Sequence, residues 1–333
     1  MLTKPYRPWG HLPWVLDRLE HRSWNFWGCL STEDRCLGTI LCCHEPNILK
    51  DIFFIEVIDP PESEYSNEAQ CKRDKLRHNV KEYLPDTQIV KMGLHDPAAQ
   101  LKRQVDILLE SSGENLIFDI SSFPKKYFFP MLKFILKSPK IKNLLVTYAI
   151  PEHYHKGRLA ENPMDWDYLP TYQSFNNSEQ QVKHAIVGVG FLPFTLPELL
   201  KQDYDNAEVH LIFPFPPGPP NYQRTWDFVR QIEATCLLKD DRQIIRVDVL
   251  DVPGCYKHIC NLTDEGKDRA IFAPYGPKPH SLAMCLFAIA HDSDVYYTQP
   301  SYYHPDYSTG MKYLDNSPET YAYCVKLNGV CLY

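Results

Sequence analysis

Short apolar segments alternate with longer amphipathic segments along the first half of the chain. The apolar segments predict β-strands at residues 36–43, 51–58, 87–92, 115–120 and 143–150. The spacing of apolar residues between them predicts helices at 63–83, 97–110 and 125–136. Strands that alternate with helices in this way form mainly parallel sheets covered by helices. Residues 1–150 are therefore predicted to form a Rossmann-like α/β lobe.

The alternation stops between residues 151 and 182 and then resumes. Residues 151–182 are rich in Pro, Asn, Tyr and Trp without a sustained period, which is typical of a linker or a long ordered loop. Beyond them, strands are predicted at 184–189, 208–213, 243–249, 269–273, 295–298 and 322–327, and helices at 196–201, 222–237 and 281–290. Residues 183–333 are therefore predicted to form a second Rossmann-like lobe.

Composition and charge narrow the class of protein. The chain has 35 Lys and Arg against 42 Asp and Glu, so non-specific nucleic-acid binding is not expected. Residues 1–14 contain no secretory signal and no apolar segment is long enough to span a bilayer, so no membrane partner is expected. The motif Cys255-x-x-His258-x-Cys260 lacks the second half of a zinc site. We expect reduced thiols in a cytoplasmic protein with neither metal nor cofactor.

Two segments of the chain resemble each other. One reads LIFDISSFPKKYFFPMLKFIL and then LLVTYAIPEHYH, and the other reads AIFAPYGPKPHSLAMCLFAI and then DVYYTQPSYYH. Near the end of the second part, His155 aligns with His304 and Tyr154 with Tyr303. Identities outside the apolar positions favour internal duplication of one strand–helix–strand unit over chance similarity between two such units.

Each copy has cations where a strand gives way to a helix. The first copy has Lys125 and Lys126, and the second has Lys278 and His280. The amino end of a helix carries a partial positive charge, so acidic side chains are usual there. Open α/β sheets bind ligands at the carboxyl ends of their strands. Both turns are therefore predicted to hold an anion such as a phosphate; the alternative is that the lysines point into water.

Further polar residues belong to the same predicted sites. The turns also contain hydroxyl donors and a glycine that permits close backbone approach: Ser121, Ser122, Gly276 and Ser281. After the next strand, Gln299, Tyr303 and His304 suit contacts with a stacked base. The alternative is that these aromatic rings only pack a loop.

The run 273–283, APYGPKPHSLA, resembles the G-[ST]-K-P-M-type turn and following helix of CARF domains. CARF and related SAVED domains are Rossmann-like sensors of cyclic oligonucleotides in prokaryotic antiviral defence, and the SAVED type is similar to two fused CARF-like units. The resemblance implies that Gly276, Lys278 and His280 face a phosphate of the ligand. Pro277 stands where the family has Ser or Thr, which removes a hydroxyl and a backbone donor. The identity of the ligand therefore stays open.

In the first copy, the residues that correspond to this turn are Ser122, Pro124 and Lys125. The chain shows no nuclease, protease or transmembrane signature, so any output requires a partner. We therefore predict a sensor or regulatory subunit, non-catalytic or weakly catalytic, that binds a nucleotide-type anionic ligand. It would act in antiviral defence through an effector or complex partner protein. A homo-oligomer of the chain is compatible with this prediction.

Two alternatives remain from the sequence. The first is a nucleotide or nucleoside hydrolase or transferase that uses Asp119 or His304 as acid or base, which requires both to converge on one pocket. The second is a scaffold subunit that binds protein through the run FPFPPGPP at 213–220, predicted to be a rigid extended loop.

Overall fold

The computed structural model describes residues 6–19, 23–43, 48–174, 181–216, 221–236 and 243–333. The chain divides into two compact units, the first formed by Met1–Asn162 with Pro300–Leu332 and the second by Pro163–Gln299 with Tyr333. This division differs from the predicted boundaries, because the chain returns to the first unit after residue 299. The returning segment adds strands to the sheet of the first unit.

Helices and strands alternate through both halves of the chain. In the first half these are β1 (Trp9–His11), α1 (Leu12–Arg18), β2 (Trp24–Leu30), a 3₁₀ turn (Asp34–Leu37), α2 (Gly38–Cys42), β3 (Leu49–Ile58), α3 (Ser66–Tyr83), β4 (Gln88–Gly93), α4 (Ala98–Ser111), β5 (Asn115–Asp119), α5 (Lys125–Lys137), β6 (Asn143–Ala149), β7 (His153–Tyr154) and β8 (Ala160–Tyr168). In the second half they are β9 (His184–Gly188), α6 (Leu196–Asp203), β10 (Glu208–Phe215), α7 (Asn221–Glu233), β11 (Ile244–Asp248), α8 (Val252–Leu262), β12 (Ala270–Pro274), α9 (Lys278–His291), β13 (Asp294–Tyr303), β14 (Ser308–Thr309), β15 (Tyr313–Leu314), β16 (Ser317–Pro318), β17 (Thr320–Leu327) and β18 (Val330–Cys331).

The first unit is built on a sheet with the order β1-β17-β6-β5-β2-β3-β4. The five strands β2 to β6 pair with one another in parallel. Strands β17 and β1 are added in antiparallel orientation beside β6. Numbered by their appearance, the parallel strands follow the doubly wound order 3-2-1-4-5. The order reverses between β2 and β5, so ligand sites are expected beside their carboxyl ends.

The second unit repeats this order in a sheet that runs β11-β10-β9-β12-β13-β8. Strands β9 to β13 again pair in parallel in the 3-2-1-4-5 order. The two similar segments of sequence, β5–α5–β6 and β12–α9–β13, occupy the same place in the two sheets. The predicted α/β fold with mainly parallel sheets is confirmed, and the matching positions support duplication.

One predicted strand is wrong, and the true central strand lies earlier in the chain. Residues 36–43 form the end of the 3₁₀ turn and helix α2 instead of a strand. The missing strand is β2, and all of its side chains are buried. A strand covered on both faces has no alternation of apolar and polar residues, so the pattern does not separate it from its surroundings. The predicted linker 151–182 likewise contains β7 and β8.

Helix α9 passes through the core of the second unit. Ten consecutive residues from Pro279 to Ala288 are buried, which explains why this helix has apolar residues on all sides. Helix α5 has a similar run of buried residues in the first unit. No helix in the described part of the chain is both long and apolar enough to cross a membrane.

Candidate functional site

Helices α5 and α9 begin at the aligned lysines. Lys125 is the first residue of α5 and Lys278 is the first residue of α9. The preceding Pro124 has φ −58° and ψ 148°, and Pro277 has φ −59° and ψ 155°. Neither proline offers a side-chain cap, and neither first turn contains an acidic residue. The two turns therefore have the same backbone geometry and the same unusual charge.

In the first copy, the turn hydroxyls bond neighbouring strands. Ser121 is fully buried, and its N–H and hydroxyl donate to the Asp119 carboxylate at 2.8 and 3.1 Å. The Ser121 hydroxyl also accepts from the N–H of Ala149 at 2.7 Å. Ser122 donates to the carbonyl of Cys29, at 2.7 Å. These hydroxyls hold the end of β5 against β2 and β6.

Asp119 lies beneath helix α2 with no exposed surface. Its carboxylate accepts from the hydroxyls of Thr39 and Thr147, as well as from Ser121. Burial raises the pKa of Asp119, although these hydrogen bonds oppose the rise. Asp119 therefore joins α2, β5 and β6 inside the first unit.

The two lysines of the first turn are only partly hydrated. Lys125 is 9% exposed and Lys126 is half-buried. Burial lowers the pKa of Lys126, while the nearby Asp96 carboxylate opposes this change. A partly dehydrated amine beside the amino end of α5 is suited to an incoming anion.

In the second copy, the turn after β12 is packed against the turn after β9. A Cβ atom added to Gly276 would lie 3.1 Å from the carbonyl oxygen of Val189. One added to Gly190 would lie 2.1 Å from the carbonyl oxygen of Tyr275. The backbones of these two turns therefore contact each other directly, and the contact leaves no room for a side chain at Gly190.

The polar residues that follow this turn differ in exposure. His280 is fully buried and its Nε2 lies 2.9 Å from the carbonyl oxygen of Asp248, and burial lowers its pKa to about 4. Ser281 is buried as well and donates to the carbonyl of Pro277 in its own helix, at 3.1 Å. Lys278 is half-buried. The structure thus leaves Lys278 as the partly exposed cation of this turn.

The aromatic residues predicted to follow the next strand form a compact group. We call His155, His304, Tyr154, Tyr303 and Tyr307 the histidine–tyrosine cluster. The imidazole rings of His155 and His304 stack, with centroids 3.9 Å apart and planes 14° apart. Tyr307 makes edge contacts with Tyr154 at 6.2 Å and with Tyr303 at 5.9 Å. All five residues are half-buried and belong to the first unit.

Backbone hydrogen bonds hold this cluster together. Strands β7 and β14 pair with Tyr154 opposite Ser308. The N–H of His155 donates to the carbonyl of Tyr307 at 3.2 Å, and that of His304 donates to Leu159 at 2.9 Å. The cluster is therefore formed by two segments far apart in sequence.

A buried cation, Arg35, lies next to the cluster. Its Nη2 is 2.8 Å from the carboxylate of Glu33, and its guanidinium carbon is 5.6 Å from the Tyr148 ring centroid. The Tyr148 hydroxyl is 3.4 Å from that of Tyr154. Burial lowers the pKa of Arg35, but Glu33, Tyr148 and Tyr154 together raise it above its ordinary value, so the guanidinium is charged. Among the described residues, its Nη1 has no hydrogen-bond partner.

The sequence pattern gave no signal for Arg35, because the adjoining run 36–43 reads as a strand. The pattern did predict Tyr303 and His304, which belong to the cluster. Gln299 and Lys278 belong to the second unit, whereas Lys125 and Lys126 belong to the first. The predicted site residues are thus divided between the two units.

A cleft of about 620 Å³ also lies in the first unit. Its lining residues come from the 3₁₀ turn, helix α3 and the loops beside β7 and β15: Asp34, Leu37, Leu76, Asn79, Glu152, Gly310, Met311, Lys312 and Tyr313. Two carboxylates and one amine line this cleft, so it suits a neutral or cationic guest better than an anion.

The described residues also contain one group placed closely enough to bind a metal ion, namely His184, Glu208 and His210. These three residues are separate in sequence from the motif Cys255-x-x-His258-x-Cys260. In that motif Cys255 and Cys260 are buried while His258 is exposed, so its three side chains do not share one environment.

The chain matches no family model and no curated protein. Among solved structures it is similar to a functionally unknown protein from Pseudomonas aeruginosa PAO1. The two share 11% identity over 83% of this chain and 92% of that chain, with a TM-score of 0.23. A likeness this low carries no argument, so fold and site define the class: an α/β protein with two Rossmann-like units.

Proposed function

We propose that this protein is a sensor or regulatory subunit that binds a nucleotide-type anionic ligand at the histidine–tyrosine cluster. The observation that carries the proposal is the stack of His155 on His304, in a cluster whose Tyr154 contacts Tyr148 beside the buried Arg35. Partly exposed aromatic rings supply a stacking surface for a base. Cations nearby supply the charge that a phosphate requires, and Lys156 and Arg158 are exposed on the same loop as His155.

The position of the cluster supports the same class of ligand. His155 comes after β6, and His304 comes directly after β13. Both residues therefore follow the carboxyl ends of parallel strands. Ligands of doubly wound sheets bind at such ends. The resemblance of 273–283 to the CARF turn makes cyclic oligonucleotides the first ligands to test, and prokaryotic antiviral defence the proposed setting. We place the protein in the cytoplasm, acting through an effector or complex partner.

The buried state of Asp119 favours binding over catalysis. A hydrolase or transferase of the alternative type needs Asp119 and His304 in one pocket with the substrate. The Asp119 carboxylate has no exposed surface and is surrounded by Thr39, Thr147 and Ser121. A substrate therefore cannot reach it without displacement of α2.

The proposal is tested by thermal shift and calorimetry with mononucleotides, dinucleotides and cyclic oligonucleotides. We expect at least one ligand to raise the unfolding temperature. His155→Ala and His304→Ala are each expected to weaken its binding about 5- to 100-fold, because base stacking on an aromatic ring contributes about 1–3 kcal/mol. His78→Ala, on an exposed helix position, is the matched control. Binding that is unchanged in both cluster variants, or no binding of any nucleotide, contradicts the proposal.

A further inference from the structure

Three electron-pair donors converge at the amino ends of β9 and β10 in the second unit. His184 begins β9 and Glu208 begins β10, and the two stand opposite each other in the parallel ladder. His210 lies two residues beyond Glu208, on the same face of β10. His184 Nδ1 is 3.1 Å from His210 Nε2, and Glu208 Oε2 is 3.8 and 3.7 Å from these two atoms.

These three distances fit a small divalent ion. The nearest point equidistant from the three atoms lies in their plane, about 2.1 Å from each, within the roughly 2.0–2.2 Å of zinc–nitrogen and zinc–oxygen bonds. Two histidines and a glutamate form a common zinc ligand set that leaves a fourth position for water. The Glu208 side chain is 51% exposed, so solvent reaches this position.

The surroundings of His184 orient its ring for metal binding. Its Nε2 lies 3.5 Å from the carboxylate of Asp268, and Lys183 donates to the same carboxylate at 2.7 Å. A carboxylate that accepts from one ring nitrogen leaves the lone pair of the other directed at the metal, as in many zinc sites. The Nδ1 lone pair of His184 then points toward His210 and Glu208.

Both imidazole rings of this group are buried. His184 is 4% exposed and His210 is 7% exposed, so neither ring is well hydrated. His210 Nδ1 is buried and has no hydrogen-bond partner among the described residues.

We propose that His184, Glu208 and His210 bind one zinc-type divalent ion, which joins β9 to β10. His184 Nδ1, His210 Nε2 and Glu208 Oε2 are the ligand atoms, and water completes the coordination. Asp268 is a positioning residue that acts through His184. This site is independent of the ligand proposed for the first unit.

The test uses the full untagged chain after removal of metals with a chelator. Zn²⁺ affinity is measured by competition with a chromophoric chelator, and Co²⁺ is added to record visible d–d absorption. We expect one Zn²⁺ per chain, a raised unfolding temperature, and a Co²⁺ spectrum of a four- or five-coordinate site. Glu208→Gln and His210→Gln are expected to weaken Zn²⁺ binding more than about 100-fold. Asp268→Asn is expected to weaken it about 10- to 100-fold, as the loss of a carboxylate that orients a ligating histidine does.

His78→Gln and His258→Gln, both at exposed positions, serve as controls and should bind Zn²⁺ as the parent does. Circular dichroism and the unfolding temperature of the metal-free variants show whether each one folds; Glu208→Gln, at an exposed position, is the variant least expected to disturb folding. Zn²⁺ affinity that is unchanged in folded Glu208→Gln overturns the proposal. The absence of Zn²⁺ and Co²⁺ binding by the folded parent overturns it as well.

Discussion

His155 and His304 occupy equivalent positions in the two similar segments, and their imidazole rings stack with centroids 3.9 Å apart. One residue follows the strand that comes after α5, and the other follows the corresponding strand after α9. Both rings lie in the first unit although the second similar segment begins in the other unit. A ligand that contacts one ring is therefore within reach of the other.

The titration of His304 should report on this stack. Burial lowers the pKa of His304, and His155 lowers it further. In His155→Ala the ring gains solvent and loses a neighbour that repels its charged form, so its pKa should rise toward 6.5. Proton NMR of the imidazole resonances as a function of pH measures this change. A pKa for His304 that falls or stays constant in the variant would contradict the assigned contact.

Charge reversal at Lys278 distinguishes a role of this lysine in ligand binding from a purely structural role. Lys278 is half-buried at the first position of α9, where a negative side chain suits the helix dipole. Lys278→Glu should therefore fold as the parent does. If an anion binds at this turn, its affinity should fall by about tenfold or more, because a charge-assisted contact becomes a repulsion. Calorimetry with the best nucleotide measures this; an unchanged affinity would show that Lys278 does not bind the nucleotide.

Asp119 should prove structural. Asp119→Ala removes the acceptor for Thr39, Thr147 and Ser121 inside the first unit. Buried donors without partners cost free energy, so we expect a loss of about 3 kcal/mol in the free energy of unfolding. Urea denaturation measures it. Asp106→Ala, an exposed carboxylate paired with Lys102, should change stability by less than about 0.5 kcal/mol. Equal effects of the two substitutions would show that the Asp119 network is not needed for stability.

His280 should make stability depend on pH. Its pKa is about 4 in the folded chain against 6.5 for a free imidazole, because burial disfavours the charged form. Between these pH values the unfolded chain binds one more proton at His280 than the folded chain does. The contribution of His280 to stability is therefore full above pH 6.5 and falls as the pH decreases toward 4. One such proton corresponds to about 3 kcal/mol across this range.

His280→Leu should remove about one proton from this dependence, while exposed His258→Gln should not. The free energy of unfolding between pH 4 and pH 7 (about three pH units) is the measurement. The same slope in His280→Leu and the parent would show that the imidazole is not the titrating group. Because His210 has a similarly low pKa, some dependence on pH remains in the variant.

Local sequence patterns were sufficient to predict most elements of this protein. The helix start at Lys125, the alternation of strands and helices, and the similarity of two segments all follow from neighbouring residues. These features depend on backbone propensity and on the period of apolar side chains, which act over a few residues. The aromatic residues Tyr303 and His304 were identified for the same reason.

Contacts between distant segments required the tertiary structure. The fully buried β2 becomes recognisable only as the central strand between β3 and β5. His280 looks like a ligand residue beside a lysine, but the packing of α9 places it in the core. The stack of His155 on His304, the position of Arg35 beside Tyr148, and the convergence of His184 with His210 join residues separated by many positions in sequence. Such contacts depend on how the strands are ordered in the sheets, which no local period of hydrophobicity encodes.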